Sequence, residues 1–375
     1  MRILVLSWKD TKHPLSGGAE QVMHQHMKSW AQAGHQVYLF SSNFYQAKRS
    51  EKIEHVQIIR QGSQVLGVHL AGILYYLKHR NQFDLVVDQF HGLPFFTPLY
   101  VKKPKLAIIQ ETAREVWFLN FLPWPLNWIV GLIGFLTEPL IFKLYRNVTF
   151  MTASESTYND LIKLGISPKK IIIVPHGLKG INRQLNLKRP KTPTISYLGT
   201  LSKDKGIEDA LDCFEILNKT GNFNYWVIGK SETASYTKRI EKMAQKLGLI
   251  NKVKFWGYVS DKMKYKLLSK SHLLINPSVR EGWGLVNLEA NLVGTPVVAY
   301  NSPGLVDSVK DNVTGIICQK NTPQQLAEKV TEILNNKARY SKLQKGAYLW
   351  GKKHSSWNKS QKSSLKLIER VAYAR

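Results

Sequence analysis

Asn276-Pro277-Ser278-Val279-Arg280-Glu281-Gly282-Trp283-Gly284-Leu285-Val286-Asn287-Leu288-Glu289-Ala290 is the stretch from which the fold is read. The apolar residues before it predict a strand over Leu273–Ile275 that ends in the Pro277-Ser278 turn. A glycine-flanked loop then opens a helix near Gly284, expected over Leu285–Val293. The first turn of a helix leaves backbone N–H groups unpaired at the positive end of its dipole, which suits a phosphate or diphosphate. Gly282 and Gly284 let a ligand come close to the backbone. Glu281 stands in the loop, and Glu289 lies about five residues into the helix, roughly 7–8 Å further along its axis. Carboxylates are poor partners for phosphate and good acceptors of hydroxyl protons, so the two glutamates fit a sugar or a ribose.

Outward from this stretch, strand and helix alternate. In the second half, strands are expected at Thr194–Leu198, Tyr225–Ile228, Val253–Phe255 and Val297–Ala299. Helices are expected at Ile207–Asn218, Ile240–Leu247 and Lys262–Ser269. In the first half, strands are expected at Arg2–Ser7, Gln36–Phe40, Val56–Ile59, Leu85–Asp88, Leu106–Ile109, Val148–Thr152 and Ile171–Val174. One helix follows the Ser16–Glu20 loop and closes at Gly34; another covers Ser154–Leu164 with Ser154 as its cap. The polar stretch Asn182–Pro193 separates the two series. Such a pattern predicts an α/β protein of two Rossmann-like domains facing across a cleft, with ligand beyond the carboxyl ends of the strands. The opening Arg2–Trp8 run reads as a buried strand rather than a signal peptide, because no cleavage-type segment follows it.

Composition narrows the function classes. Hydrophobic residues at 43% and charged residues at 21% exclude wholesale disorder and a fibrous protein. Two cysteines, Cys213 and Cys318, are too few for a disulfide framework and suit a reduced compartment. Fifty-three Lys and Arg against 26 Asp and Glu give a net charge of +27, which attracts polyanions, anionic membranes or phosphorylated substrates. The excess is spread over both halves and no recognition motif accompanies it, so a specific nucleic-acid partner is not expected. No His or Cys spacing suits a metal and no Asp-x-Asp pair follows an apolar strand, so neither metal nor other cofactor is expected.

The segment EGWGLVNLEANLVGTPVVA (Glu281–Ala299) resembles the signature of family 4 retaining glycosyltransferases of the GT-B fold, with its two glutamates separated by seven residues. The likeness extends to GGAE (Gly17–Glu20), SESTYNDLIKLGI (Ser154–Ile166), KIIIVPHG (Lys170–Gly177), YLGTLSKDKGI (Tyr197–Ile207), Gly294-Thr295-Pro296 and the C-terminal Ser356-Trp357. The resemblance implies an acceptor-binding domain over 1–182, a nucleotide-sugar-binding domain over 183–352 and a C-terminal helix over 353–375 that returns to the first. It implies that Glu281 contacts donor sugar hydroxyls and that the backbone at Gly282, Trp283, Gly284 and Leu285 holds the sugar and diphosphate. It also implies that Glu289 takes the ribose, that Lys205 neutralises the diphosphate, and that Gly17 and Gly18 approach donor and acceptor.

Three positions depart from the family pattern. Thr200 stands where an arginine is usual in the donor site, and Arg280 or Lys203 is expected to supply the missing cation. Gln110 stands where a histidine is common, leaving His91, after the preceding strand, as the candidate catalytic histidine. His176-Gly177 replaces a common Asn-Gly.

The stretch Val116–Thr137 contains no charged residue. Pro123, Pro125, Asn120 and Asn127 interrupt it, so its helical part, Leu126–Thr137, is too short for the roughly 20 residues of a membrane span. Trp117, Trp124 and Trp128 are instead expected to touch a bilayer interface, helped by Lys143, Arg146, Lys102, Lys103 and Lys105. The expectation is a retaining glycosyltransferase that moves a sugar from a nucleotide-diphosphate-sugar to a lipid-linked or polysaccharide acceptor, peripheral on the cytoplasmic face of an anionic membrane. A non-catalytic nucleotide-sugar or glycan-binding relative, or a GT-B nucleotide-sugar epimerase, is the alternative.

Overall fold

A computed structural model describes residues 1–64, 66–120, 122–178, 189–231 and 233–374. The chain divides into two compact units, Met1–Gly177 with Trp357–Arg375, and Leu178–Ser356. Of the linker expected at 182–193, residues 182–188 lie outside the described set, as does the domain boundary expected at 182/183.

Among the described residues the first unit holds eight strands: β1 (Arg2–Leu6), β2 (Gln36–Ser41), β3 (Ser50–Ile53), β4 (Val56–Arg60), β5 (Leu85–Gln89), β6 (Lys105–Ile108), β7 (Thr149–Thr152) and β8 (Ile171–Ile173). They form one sheet in the order β3-β4-β2-β1-β5-β6-β7-β8, parallel throughout except for β3 against β4. β1 lies near the centre, pairing Ile3 with Val37 on one side and with Leu85 on the other. Its Ile3–Leu6 run is fully buried because helices cover both faces of a parallel sheet. Ile3 and Val5 meet Met23, Met27 and Trp30 on one face, while Leu4 and Leu6 meet Phe40, Val68 and Tyr76 on the other.

The C-terminal helix Asn358–Tyr373 sends Leu367 and Ile368 into the first of these cores. It is pinned to the helix Gly18–Gln32 by Trp30 Nε1, which donates to Ser364 Oγ at 3.1 Å, and by Gln361 Nε2, which donates to the Gln25 carbonyl at 3.0 Å.

The second unit is one parallel sheet of six strands: β9 (Thr194–Leu198), β10 (Asn224–Ile228), β11 (Val253–Gly257), β12 (Leu273–Asn276), β13 (Val297–Ala299) and β14 (Gly315–Ile317). Their order is β11-β10-β9-β12-β13-β14. Leaving aside the antiparallel β3, the order in each sheet reverses once at the centre, between β1 and β5 in the first unit and between β9 and β12 in the second. Ligands of open α/β sheets bind beyond the strand ends at such a reversal.

The apolar segment after β6 corrects the sequence reading. Its helix does not stop at Thr137 but runs from Leu126 to Leu144, 19 residues, long and apolar enough to cross a membrane by length and composition alone. Glu138 does not end the helix because its carboxylate points inward and accepts the backbone N–H groups of Ala113 and Arg114 at 2.7 and 2.9 Å. Trp117 is half-buried and packs one side of its ring on this helix, where a Cβ on Gly134 would fall 2.3 Å from it. Trp124 and Trp128 are 79% and 61% exposed.

Candidate functional site

At the reversal in the second sheet, the loops that leave β9 and β12 meet. Val279 N–H donates to the Asp204 carbonyl at 2.8 Å. Gly206, at φ +68°, caps the helix Ile207–Thr220, and a Cβ there would lie 2.2 Å from the Pro277 carbonyl oxygen, so only glycine lets the two loops touch. Gly284 opens the helix Leu285–Leu292 at φ +69°, with Ser308 Oγ 2.7 Å from where a Cβ would stand. Beneath this helix, Asn276 Nδ2 donates to Asn287 Oδ1 at 2.8 Å and Asn287 Nδ2 donates to Ser308 Oγ at 2.9 Å. The loop that offers its backbone to an anion is thereby fixed from below. Gly282 and Trp283 are buried in it, and Leu285 begins the helix half-buried.

Lys205 Nζ sits 3.3 Å from Glu281 Oε2 and 3.5 Å from Asp204 Oδ2, and it donates to the Arg280 carbonyl at 3.3 Å. Ser278 Oγ lies 3.1 Å from Glu281 Oε1, on the carboxylate's other side. A partly exposed ammonium, a carboxylate and a helix N-terminus therefore share one loop cluster. The cluster can hold an anion and a hydroxylated group side by side. Glu289, expected to take a ribose, has a protein partner: Lys264 Nζ donates to its Oε1 at 2.6 Å, with Asp261 Oδ1 3.0 Å from the same nitrogen. Burial works against the Lys264 charge, but the Glu289 carboxylate outweighs it and holds the ammonium above its usual pKa. Asp204 lay inside the quoted Tyr197–Ile207 motif without being singled out, and Lys264 carried no signal beyond belonging to a lysine-rich chain.

At the reversal in the first sheet, the loops after β1 and β5 come together. Gly17 N–H donates to Glu20 Oε2 at 2.6 Å, capping the helix Gly18–Gln32. Glu20 Oε1 lies 3.1 Å from His91 Nε2 and 3.8 Å from Lys9 Nζ. Burial lowers the pKa of His91, while Glu20 pulls it the other way. Glu20 was not singled out as a functional residue, although glycine followed three positions later by glutamate is the spacing of a capping box. Among the described residues no group of three or more His, Cys, Asp or Glu is placed to hold a metal.

Comparison with known proteins identifies the family. Residues 16–179 match Glycosyltransferase Family 4, and residues 179–350 match Glycosyl transferases group 1. The chain belongs to the group 1, family 4-type glycosyltransferases. Among curated relatives, the capsular polysaccharide biosynthesis glycosyltransferase CapM of Staphylococcus aureus is 30% identical over 145 residues, 38% of this chain and 37% of CapM. The chain spans about half or less of the length of the first curated relatives it matches. Among solved structures, sucrose-phosphate synthase of Thermosynechococcus elongatus superposes with a TM-score of 0.82 at 19% identity, covering 100% of both chains. Anabaena Alr3699/HepE, solved in complex with UDP-glucose, gives 0.72 at 16% identity, again over 100% of both. These likenesses show the GT-B fold.

The departures of this glycosyltransferase from its family pattern now have places. Thr200 is exposed, and its carbonyl accepts the Tyr197 hydroxyl at 2.8 Å, so it brings no cation. Of its expected substitutes, Arg280 is 5% exposed within the Lys205 loop cluster and Lys203 is half-buried in the loop after β9. The other two departures touch each other: His176 Nε2 donates to Gln110 Oε1 at 2.6 Å. Gln110 is thus engaged by the residue that replaces the common asparagine, a pairing that sequence positions 66 apart did not reveal.

Proposed function

We propose that this glycosyltransferase moves a sugar from a nucleotide-diphosphate donor to a hydroxyl of a lipid-linked or polysaccharide acceptor, with retention at the anomeric carbon. The observation that carries the reading is Lys205, held 3.3 Å from Glu281 where the sheet order reverses, beside the N-terminus of Leu285–Leu292. The likeness to a fold solved with UDP-glucose supports a nucleotide-sugar as donor. In this reading the bond from the anomeric carbon to the diphosphate oxygen breaks and its electron pair leaves with the diphosphate. Lys205 and the helix amides stabilise that developing charge, as preorganised donors do in acyl and phosphoryl transfer. The acceptor oxygen bonds to the same face of the sugar and passes its proton to the departing diphosphate. Glu281 takes the sugar hydroxyls, and Glu289, with Lys264 on one of its oxygens, offers the other to the ribose. Gly17, Gly18 and His91 are the first unit's own candidate residues, with Glu20 orienting His91. No metal takes part.

The exposed Trp124 and Trp128 and the apolar face of Leu126–Leu144 support action at a membrane, on its cytoplasmic face, where a lipid-borne acceptor is presented. Incubation with a panel of labelled nucleotide-sugars and a lipid extract tests the reading. One donor is expected to deliver its sugar to the organic phase with the anomeric configuration kept and with no loss in chelator. Nucleotide binding without transfer to any acceptor would contradict it.

A further inference from the structure

A second helix of the first unit exposes leucines. In Leu66–His79, Leu66, Leu70, Leu74 and Leu77 are 73, 62, 59 and 43% exposed. They recur at helical spacing along one side, while Val68, Gly72 and Tyr76 are buried on the other. The helix contains no acidic residue, and ahead of Lys78 in its last turn every exposed residue is a leucine, so it is apolar on its solvent side as well as its core side. A helix of that kind normally lies in a core or against lipid.

The stripe continues toward the helix Leu126–Leu144. Both helices connect strands of the same sheet, β4 to β5 and β6 to β7, and so run on one face of it. The segment 97–100 lies between them: the Tyr100 ring is 5.7 Å from that of Tyr76, and Thr97 N–H donates to the Tyr145 hydroxyl at 3.1 Å. Leu99 on that segment is 67% exposed. On Leu126–Leu144, Ile129, Leu132, Ile133, Leu136 and Leu140 are each more than half exposed. Exposed cations accompany these segments, with Lys78 in the last turn of the first helix, Arg80 just after it, Lys102 in the connecting loop, and Lys143 and Arg146 at the end of the second.

Resting on the membrane reading above, we infer that Leu66–His79 is a second membrane-docking element of this chain, and that it and Leu126–Leu144 together seat one sheet face on an anionic bilayer. Charge selects the occupant. A rim of cations on a chain of net charge +27 repels a second copy of itself and attracts acidic headgroups, while the leucines between them enter the interface. One apolar element gives marginal, reversible attachment, and two elements with a basic rim make it stable.

Co-sedimentation of the full chain with vesicles of phosphatidylglycerol and phosphatidylcholine tests this, beside vesicles of phosphatidylcholine alone. Leu70→Asp/Leu74→Asp and Leu132→Asp/Leu136→Asp change exposed side chains, and circular dichroism checks that both variants remain folded. Each double variant is expected to lower partitioning onto anionic vesicles at least about tenfold, with weak binding of the wild type to neutral vesicles. Loss in the Leu132/Leu136 variant with wild-type binding in the Leu70/Leu74 variant would overturn this inference and leave the membrane reading standing. No wild-type binding to either vesicle would overturn both. A dimer in sedimentation velocity that the Leu70/Leu74 variant dissociates, with vesicle binding unchanged, would assign the stripe to contact between copies and overturn it too.

Discussion

His26 and His176 lie buried with ring centroids 6.3 Å apart, and Trp357 faces both at 5.8 and 6.2 Å. Burial pushes His26 down to about 4, and burial with His26 nearby pushes His176 down to about 3, so both are neutral in the folded protein. In the unfolded chain each takes up a proton near pH 6.5. Their cost to stability is therefore absent above pH 6.5 and grows as pH falls toward 4, reaching about 2 kcal/mol per histidine at pH 5. The thermal midpoint of the first unit is expected to drop between pH 7 and pH 5, and His176→Asn to remove roughly half of that drop. A midpoint flat across the window would contradict the assignment. Which residues share a loop was easier to read in the sequence than what each one touches. Glu281, Lys205 and Gly284 stand together in one loop cluster, where the motifs had placed them. The partners of Glu289, His91 and Gln110 come from other elements, and residue spacing carries no record of them.

Helix Leu126–Leu144 is the element where sequence and structure differ most, because a charge in an apolar run looks like an end. Glu138 is instead 4% exposed and holds two successive backbone amides of the preceding segment. Glu138→Ala is expected to speed hydrogen exchange at Ala113 and Arg114 by about tenfold or more while leaving the central strands protected. Unchanged protection at those two amides would refute the clamp. Ser154, whose hydroxyl accepts the Thr157 N–H at 3.2 Å, was legible as a cap, and Ser154→Ala is expected to cost about 1 kcal/mol in denaturant unfolding. The central strands were legible because burial on both faces demands unbroken apolar runs. β3 was not: its SEKI sequence has one apolar residue, at an antiparallel edge where Ser50 and Lys52 meet water. β14 has three residues, one of them glycine, too few for any period to register.

Across the whole molecule, one sequence supports two sheets, each reversing its strand order once and each gathering its candidate residues at that reversal. The alternation of strands and helices made this architecture readable before any coordinate. The closing helix ties the end of the chain to its beginning, since Leu367 and Ile368 share a core with Ile3, Met27 and Trp30. Truncation after Ser356 is expected to unfold the first unit at lower temperature and to leave nucleotide binding by the second unit intact. Loss of both together would show that the units do not stand independently. In the proposed transfer, Lys205 and Glu281 carry the donor chemistry. Nucleoside diphosphate release from the active nucleotide-sugar, measured with lipid extract for wild type, Lys205→Ala and Glu281→Ala, tests it most directly. Acceptor-stimulated release is expected in the wild type and a loss of about a hundredfold or more in kcat in each folded variant. Wild-type rates in both variants would contradict the account.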